Sequence, residues 1–178
     1  MKTILKAAIL SLLALCILLC APCCSKKSTT TAEAPPASSD KFEFSLSSAT
    51  AQAGQEVKIQ LSIENNPTIA GYSVTVCYDP QVLTFNSCEN QVAGGFAVTN
   101  STEEGKVRVM CTVMGGNTLS HEGISDELTF TVKKDAPKGE SALNLIFADD
   151  ADMVYQTQED GKMPTVACVL QGGILTVE

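Results

Sequence analysis

The sequence predicts an all-β fold, a two-layer β-sandwich or jelly roll of about nine strands. The main observation is a period-two alternation of apolar and polar residues, which is typical of strands with one buried and one wet face. A second is the turn-forming Gly, Pro, Asn and Asp residues between these runs. No segment keeps a 3.6-residue apolar period. The alternating apolar positions are Phe42, Phe44 and Leu46; Val57, Ile59, Leu61 and Ile63; Tyr72, Val74, Val76 and Tyr78; Val107, Val109, Cys111 and Val113; Leu128, Phe130 and Val132; and Leu143, Leu145 and Phe147.

The first 24 residues are predicted to be an export signal of the lipoprotein type. Lys2 and Lys6 precede an apolar run over 7–21, which is shorter than the roughly 20 residues that cross a bilayer as a helix. Cys23 and Cys24 are the candidates for lipid attachment. Ordinary secretion and an uncleaved membrane anchor are the alternatives, and all three export the domain. We therefore expect a cell-surface location, with the membrane contacted through this N-terminal anchor alone.

The rest of the chain divides into a linker and one domain. Residues 25–40 are rich in Ser, Thr, Ala and Pro, a composition that cannot bury enough apolar surface to fold and so predicts a flexible tether. The β-patterned domain covers 41–178. It contains seven Lys and one Arg against 18 acidic residues, a net charge of −10. Because an acidic domain repels phosphate backbones, we expect no nucleic-acid partner.

Four cysteines remain in the domain once the four of the N-terminal segment are set aside. Cys77, Cys88, Cys111 and Cys168 allow three complete disulfide pairings, and the sequence does not choose among them. Their spacing matches no zinc-site pattern. The alternative is that they serve as small buried hydrophobic residues.

Several motifs in the domain follow one another in the order found in the cohesin domains of bacterial cellulosomes. The opening SSATAQAGQEVKIQLSIENNP resembles the first two cohesin strands. IAGYSVTVCYDPQVLTF resembles the stretch of the family in which a strand ends in Tyr-Asp-Pro. GKVRVMCTV, ISDELTFTVKKDAPKGESAL and GGILTVE resemble later strands. This resemblance covers 41–178 and implies a nine-stranded jelly-roll β-sandwich.

The resemblance also implies a non-catalytic module that binds dockerins, small calcium-loaded helical domains of secreted polysaccharide-degrading enzymes or scaffold proteins. Calcium is then expected on the partner, with no cofactor or metal on this chain, which we expect to be a monomer. In the family, one face formed by the third, fifth, sixth and eighth strands receives the dockerin. Gly71 and Ser73 stand where well-studied cohesins carry Asn and Asp, so the partner is expected to differ from theirs. The outward residues predicted for this face are Gly71, Ser73, Thr75 and Cys77 on the third strand, Arg108, Met110 and Thr112 on the fifth, and Glu127 and Thr129 on the sixth.

Several other residues are of types that often take part in catalysis, metal binding or partner contact. His121 is the single histidine and lacks an obvious sequence partner, so we expect it in solvent or at an interface edge. The acidic stretch 149–152 fails the EF-hand pattern, because Val154 and Asp160 stand where Gly and Glu are needed. Met110 and Met114 could fill gaps in the core or form an exposed, adaptable apolar contact surface, and the alternation of their neighbours favours exposure. Because no catalytic motif is recognised, we expect no enzymatic activity.

Two other functions stay open at this point. A carbohydrate-binding module usually presents aromatic side chains to sugar rings, but the chain has no Trp and three Tyr, of which Tyr72 and Tyr78 are predicted to point inward. That leaves Tyr155 for such a surface. An adhesive or structural β-sandwich without a dockerin partner is the other alternative.

Overall fold

The computed structural model describes residues 41–115 and 117–178, which form twelve strands and no helix. The predicted signal (1–24), its Cys23 and Cys24, and the linker (25–40) lie outside the described residues. Over the described ranges, no helix is available that could cross a membrane. The strands are β1 (Glu43–Leu46), β2 (Ala49–Ala51), β3 (Glu56–Glu64), β4 (Gly71–Cys77), β5 (Leu83–Asn90), β6 (Gly95–Asn100), β7 (Lys106–Val113), β8 (Gly123–Val132), β9 (Gly139–Ile146), β10 (Met153–Tyr155), β11 (Val169–Gln171) and β12 (Gly173–Val177).

The strands form two sheets, as the sequence predicts for a β-sandwich. The smaller sheet has the order β11-β1-β3-β8-β5, and the larger has the order β2-β12-β9-β4-β7-β6, with β10 also paired to β4. The chain changes sheet between β11 and β12 at Gly172, where a side chain would clash with the carbonyl oxygen of Leu143. The all-β sandwich prediction is confirmed, with short segments such as β2, β10 and β11 raising the strand count above nine.

The core lies between the two sheets and is built from the alternating apolar residues. In β3, Val57, Ile59, Leu61 and Ile63 are buried while their neighbours are exposed or half-buried. The same alternation holds in β7 and β8. Among the described residues, the core extends from Phe42 to Val177. The segment 41–178 therefore contains its own core and is expected to fold by itself.

A buried polar contact joins the two sheets inside this core. Tyr72 of β4 donates its hydroxyl proton to the Asp126 carboxylate of β8 over 2.5 Å, and the Asn90 amide donates to the other carboxylate oxygen over 2.8 Å. Burial raises the pKa of Asp126. The Tyr72 ring also packs on Phe44 with centroids 5.1 Å apart. Each sheet is therefore held to the other by a directional contact as well as by apolar packing.

Three details of the strands and cysteines refine the sequence-based expectations. Phe147 was expected to point inward, but β9 ends at Ile146 and Phe147 is exposed beyond it. The segment Gly95–Asn100, not expected to be a strand, forms β6 at the edge of the larger sheet. The four cysteines of the domain are free thiols, with Cys111 buried and the others half-buried.

Candidate functional site

The outer face of the larger sheet contains seven of the nine residues predicted for the binding face. β4 and β7 are hydrogen-bonded neighbours, and residues opposite each other in an antiparallel pair point to the same side of the sheet. The intervening residues of β7, such as Val109, are buried in the core, so the predicted residues point outward. The register pairs Gly71 with Thr112, Ser73 with Met110, Thr75 with Arg108 and Cys77 with Lys106.

The prediction that Glu127 and Thr129 belong to this face is wrong. Both lie on β8, which pairs with β3 and β5 in the smaller sheet, so they point away on the opposite side of the sandwich. There Glu127 pairs with Lys58 across 2.5 Å. The error arises from overlooking β6, because the strand count after residue 100 was then one too low. With β6 counted, β7 is one place later in the strand order than the sequence predicted.

The hydroxyl groups predicted to meet a partner are instead bound within the chain. Ser73 and Thr75 donate to the two carboxylate oxygens of Asp152, over 2.7 and 2.5 Å. The Ala148 amide donates to the same carboxylate over 2.8 Å. Ser73 and Thr75 are buried, as is Asp152. The segment between β9 and β10 therefore covers the middle of the outer face of β4.

Arg108 completes this cluster by pairing with two acidic groups. Its Nη2 donates to Asp149 over 2.5 Å, and its Nε lies 2.8 Å from Asp152 in an ion pair without an aligned hydrogen bond. The guanidinium group holds the pKa of Asp149 below its usual value. The acidic stretch 149–152 thus serves to neutralise Arg108 and to fix the hydroxyls of β4. Within the described residues, no group of His, Cys, Asp and Glu is arranged to hold a metal ion.

Gly71 makes room for an aromatic ring that lies over the end of β4. A Cβ atom at this position would stand 2.5 Å from the Tyr155 hydroxyl oxygen, closer than real Cβ atoms approach. That hydroxyl lies 2.7 Å from Thr112 Oγ1, within hydrogen-bonding distance. Gly71 therefore has a packing role, and Tyr155 occupies the place that a larger side chain on β4 would take.

Exposed apolar side chains lie on the same face beside this covered region. We call Phe96, Val98, Met110 and Met153 the apolar strip. The exposed fractions of the first three are 60%, 42% and 40%, and Met153 is half-buried. Phe96 and Val98 lie on the edge strand β6, opposite Thr112 and Met110. The predicted exposure of Met110 and Met114 is confirmed, with Met114 73% exposed just after β7.

The sequence-based reasoning missed Phe96, Val98, Asp152 and Tyr155 as part of this face. The alternation of Phe96 and Val98 between Gly95 and Asn100 was a signal for β6 that could have been read. No local pattern shows that Asp152 and Tyr155 return to cover β4, because their contacts join residues about 40 to 80 positions apart.

The remaining candidates lie apart from this face. His121 Nε2 is 2.7 Å from the Ile124 carbonyl oxygen in an exposed loop. Tyr72 is buried, as predicted, and Tyr78 packs edge-on against Phe130 with centroids 5.1 Å apart. With Tyr155 held over Gly71, the three tyrosines of the chain do not share an exposed surface. A cleft of about 470 Å³ beside Cys77 is lined mainly by the turn before β9 and the start of that strand.

Comparison with known proteins gives one family and a set of similar folds. The model of the cohesin domain family matches residues 42–169. No curated protein matches the chain. The similar solved structures are 15–21% identical to this chain, so their likeness shows the fold alone. The family is shown by the family model, which matches most of the chain.

The similar structures are cohesins from bacteria and from an archaeon. The seventh ScaB type I cohesin from Pseudobacteroides cellulosolvens is 20% identical with a TM-score of 0.68, and the match covers 78% of this chain and 92% of that chain. The cohesin in the Coh-OlpA-Doc918 cohesin–dockerin complex from Clostridium thermocellum is 15% identical, with a TM-score of 0.64 and coverage of 78% and 99%. A non-cellulosomal cohesin from Archaeoglobus fulgidus is 18% identical, with a TM-score of 0.63 and coverage of 78% and 91%. The chain belongs to the cohesin domain family.

Proposed function

We propose that this chain is a non-catalytic module that binds a dockerin on the outer face of β6, β7, β4 and β10. The observation that carries the proposal is the apolar strip, because exposed apolar residues grouped on one face of a soluble domain are typical of protein-binding surfaces. The Coh-OlpA-Doc918 structure shows that a protein of this fold binds a dockerin. A stable complex would bury about 1,200–2,000 Å² in total.

We further propose that the domain works at the cell surface, attached by a lipid on Cys23 or Cys24. The dockerin would belong to a secreted polysaccharide-degrading enzyme or to a scaffold protein. The acidic stretch 149–152 is engaged by Arg108, which agrees with placing the calcium on the dockerin and not on this chain. With a single cohesin domain in residues 42–169, the chain would hold one dockerin at a time.

The test is calorimetric titration of residues 41–178 with the dockerin modules encoded in the same genome, with calcium and with chelator. We expect nanomolar binding to at least one dockerin in calcium and none in chelator, since the calcium belongs to the dockerin fold. Thermal unfolding of residues 41–178 alone should be the same in both buffers. Absence of binding to every dockerin would contradict the proposed function.

A further inference from the structure

The two sheets of the sandwich end in the strands β2, β11, β5 and β6, and three of these edges are short or interrupted. β2 and β11 contain three residues each. β5 is longer, but a β-bulge between Phe85 and Ser87 interrupts its register, and Glu89 adds an exposed charge. Short strands, bulges and charges are the usual features that keep an edge from pairing with another chain. These three edges are therefore protected.

β6, the fourth edge, has none of these features. It pairs with β7 over six residues without a register shift. No charged residue or proline occurs between Glu89 and Glu103. Among the described residues, the main-chain hydrogen bond from Gly95 to Val92 is the one that this strand makes outside its ladder with β7. The N–H and C=O groups on the far side of β6 are therefore available to another extended strand.

The edge is also open on the inner side of β6. Thr99 is opposite Val109 of β7, which is buried in the core, so Thr99 points to the inner side of the sheet. It is exposed nevertheless, as are Val98 and Asn100 beside it. Within the described ranges, no segment covers this end of β6, so an incoming strand reaches it without displacing part of the domain.

We propose that the strand added to this edge is β6 of a second copy of the chain, paired antiparallel about a two-fold axis at Ala97. In this register Phe96 lies opposite the partner's Val98, and Val98 lies opposite the partner's Phe96. Pairs of an aromatic and a β-branched side chain are favourable across antiparallel strands. A two-fold contact requires a strand that is complementary to itself. β6 meets this requirement, because its apolar residues face each other and it contains no charge to oppose a like charge.

The dimer is expected to be weak and to strengthen with salt. A contact of one strand on each copy buries less than the about 1,200 Å² of a standard interface, so we expect a Kd on the order of 100 μM. Residues 41–178 have a net charge of −10, so two copies repel each other outside the contact. Salt screens this repulsion, whereas the backbone and apolar contacts of the edge do not depend on charge. The inference differs from the monomer expected from the family resemblance and does not depend on the proposed function.

The experiment is sedimentation equilibrium of residues 41–178 from about 5 to 500 μM, at low and high salt. The variant Phe96→Lys, Val98→Lys places charges on the edge and should weaken dimerisation at least about 10-fold, although it reduces the net negative charge. The matched control is Thr84→Lys, Ser87→Lys, which makes the same change of charge at exposed positions of β5. We expect it to leave the Kd within about threefold of wild type.

Two further variants distinguish edge pairing from contact between the outer faces of two copies. Met110 is 40% exposed on the same face as Val98, which is 42% exposed, but it lies on β7, one strand in from the edge. Met110→Ser should therefore change the Kd less than about threefold. With an added oxidant, a mixture of Phe96→Cys and Val98→Cys proteins should form a 96–98 disulfide at least about fivefold faster than either protein forms a crosslink alone. Peptide mass spectrometry separates this crosslink from those of the native cysteines.

The inference is overturned if wild type stays monomeric over this range, or if its dimer weakens with salt. A dimer that the lysine pair on β6 leaves intact also overturns it. Dissociation by Met110→Ser would place the second copy on the outer face, and equal crosslinking of one cysteine variant alone would contradict the register at Ala97. Dockerin binding is not measured in any arm, so failure of the dimer and failure of the proposed function are distinguishable.

Discussion

The two outer faces of the sandwich arise from the same alternating pattern but have opposite surface chemistry. On the smaller sheet, the outward positions of β3 and β8 are mostly polar, as with the Lys58–Glu127 pair, whose lysine side chain is 62% exposed. Ile124, near the start of β8, is the exposed apolar exception on these two strands. On the larger sheet, β6 and β7 direct Phe96, Val98 and Met110 to solvent. Because grouped exposed apolar residues are typical of protein-binding surfaces, the difference supports the larger sheet as the proposed binding face.

The two faces also differ in how their charges are placed. The Lys58–Glu127 pair lies at the surface, where an ion pair contributes little to stability. On the larger sheet, the Asp152 side chain is fully buried and gathers Ser73, Thr75, Ala148 and Arg108 around it. Such a network fixes the shape of the face before a partner arrives, which lowers the entropy cost of binding.

The largest expected effect comes from placing a charge on each face in turn. Val98→Asp would bury a carboxylate without a partner at the interface, and we expect dockerin affinity to fall at least about 1,000-fold, or about 4 kcal/mol. Thr129→Asp on the smaller sheet serves as the control and should leave affinity within about threefold. Titration calorimetry measures both. Equal losses, or a larger loss for Thr129→Asp, would move the binding face to the smaller sheet.

Removal of the buried carboxylate should have the next largest effect, on stability. Asp152→Ala leaves two buried hydroxyls and one amide without their acceptor, and we expect the free energy of unfolding to fall by about 3 kcal/mol. Glu127→Ala removes one surface ion pair and should cost less than about 1 kcal/mol. Urea unfolding of the two variants tests this. Similar losses would show that the Asp152 network is no stronger than a surface pair.

The buried faces of the sheets could be predicted from the sequence, but the outer surface could be predicted only in part. Alternation correctly placed residues such as Val74 and Val109 in the core, because a period of two follows directly from strand geometry. By the same rule Arg108 and Met110 were correctly placed on the outside. The rule failed at Phe147, since the apolar alternation continues beyond the last hydrogen-bonded residue of β9.

What lies over an outward residue depends on distant parts of the chain. Ser73 points outward as predicted, yet Asp152 covers it from 79 positions away. Gly71 looked like a lost binding contact and is instead the space for Tyr155. β6 was missed although Phe96 and Val98 alternate along it, and these two apolar residues face solvent, whereas the apolar side of a strand ordinarily faces the core. The proposed binding face was thus hardest to predict where distant segments cover it and where its apolar residues face solvent.

A smaller loss of stability is expected when the contact between the two sheets is cut. Tyr72→Phe removes one hydrogen bond to Asp126 without changing the packing of the ring on Phe44. Because the carboxylate loses a buried donor, we expect a loss of about 2 kcal/mol in the free energy of unfolding, measured in urea. Dockerin affinity should be unchanged, since Tyr72 is buried on the inner side of β4. A stability within about 0.5 kcal/mol of wild type would mean that the contact does not hold the sheets together.

The smallest expected effect is a change of the free energy of unfolding with pH, and it comes from Asp126, which is buried between the two sheets. Burial raises the pKa of Asp126 above its usual value. At a pH between these two values, the unfolded carboxyl is ionised while the folded one keeps its proton. The free energy of unfolding from this group therefore falls as pH rises, by at most about 1.4 kcal/mol per pH unit, and it makes no contribution to the slope at lower pH. Glu127 and Asp149, on the outer faces, have lowered pKa values. The stability that they contribute is lost as pH falls, which is the opposite of the effect of Asp126.

Asp126→Asn isolates the contribution of Asp126, since the variant keeps the size of the side chain and the carbonyl oxygen that Tyr72 can reach but cannot ionise. The free energy of unfolding of wild type minus that of the variant should fall as pH rises above about 4 and level off beyond the raised pKa. A difference that is flat or rises with pH would show that Asp126 does not keep its proton in the folded core. In that case the Asp126 carboxylate would be ionised in the folded protein. The hydrogen bonds that it accepts from Tyr72 and Asn90 would then offset the free-energy cost of burying its charge.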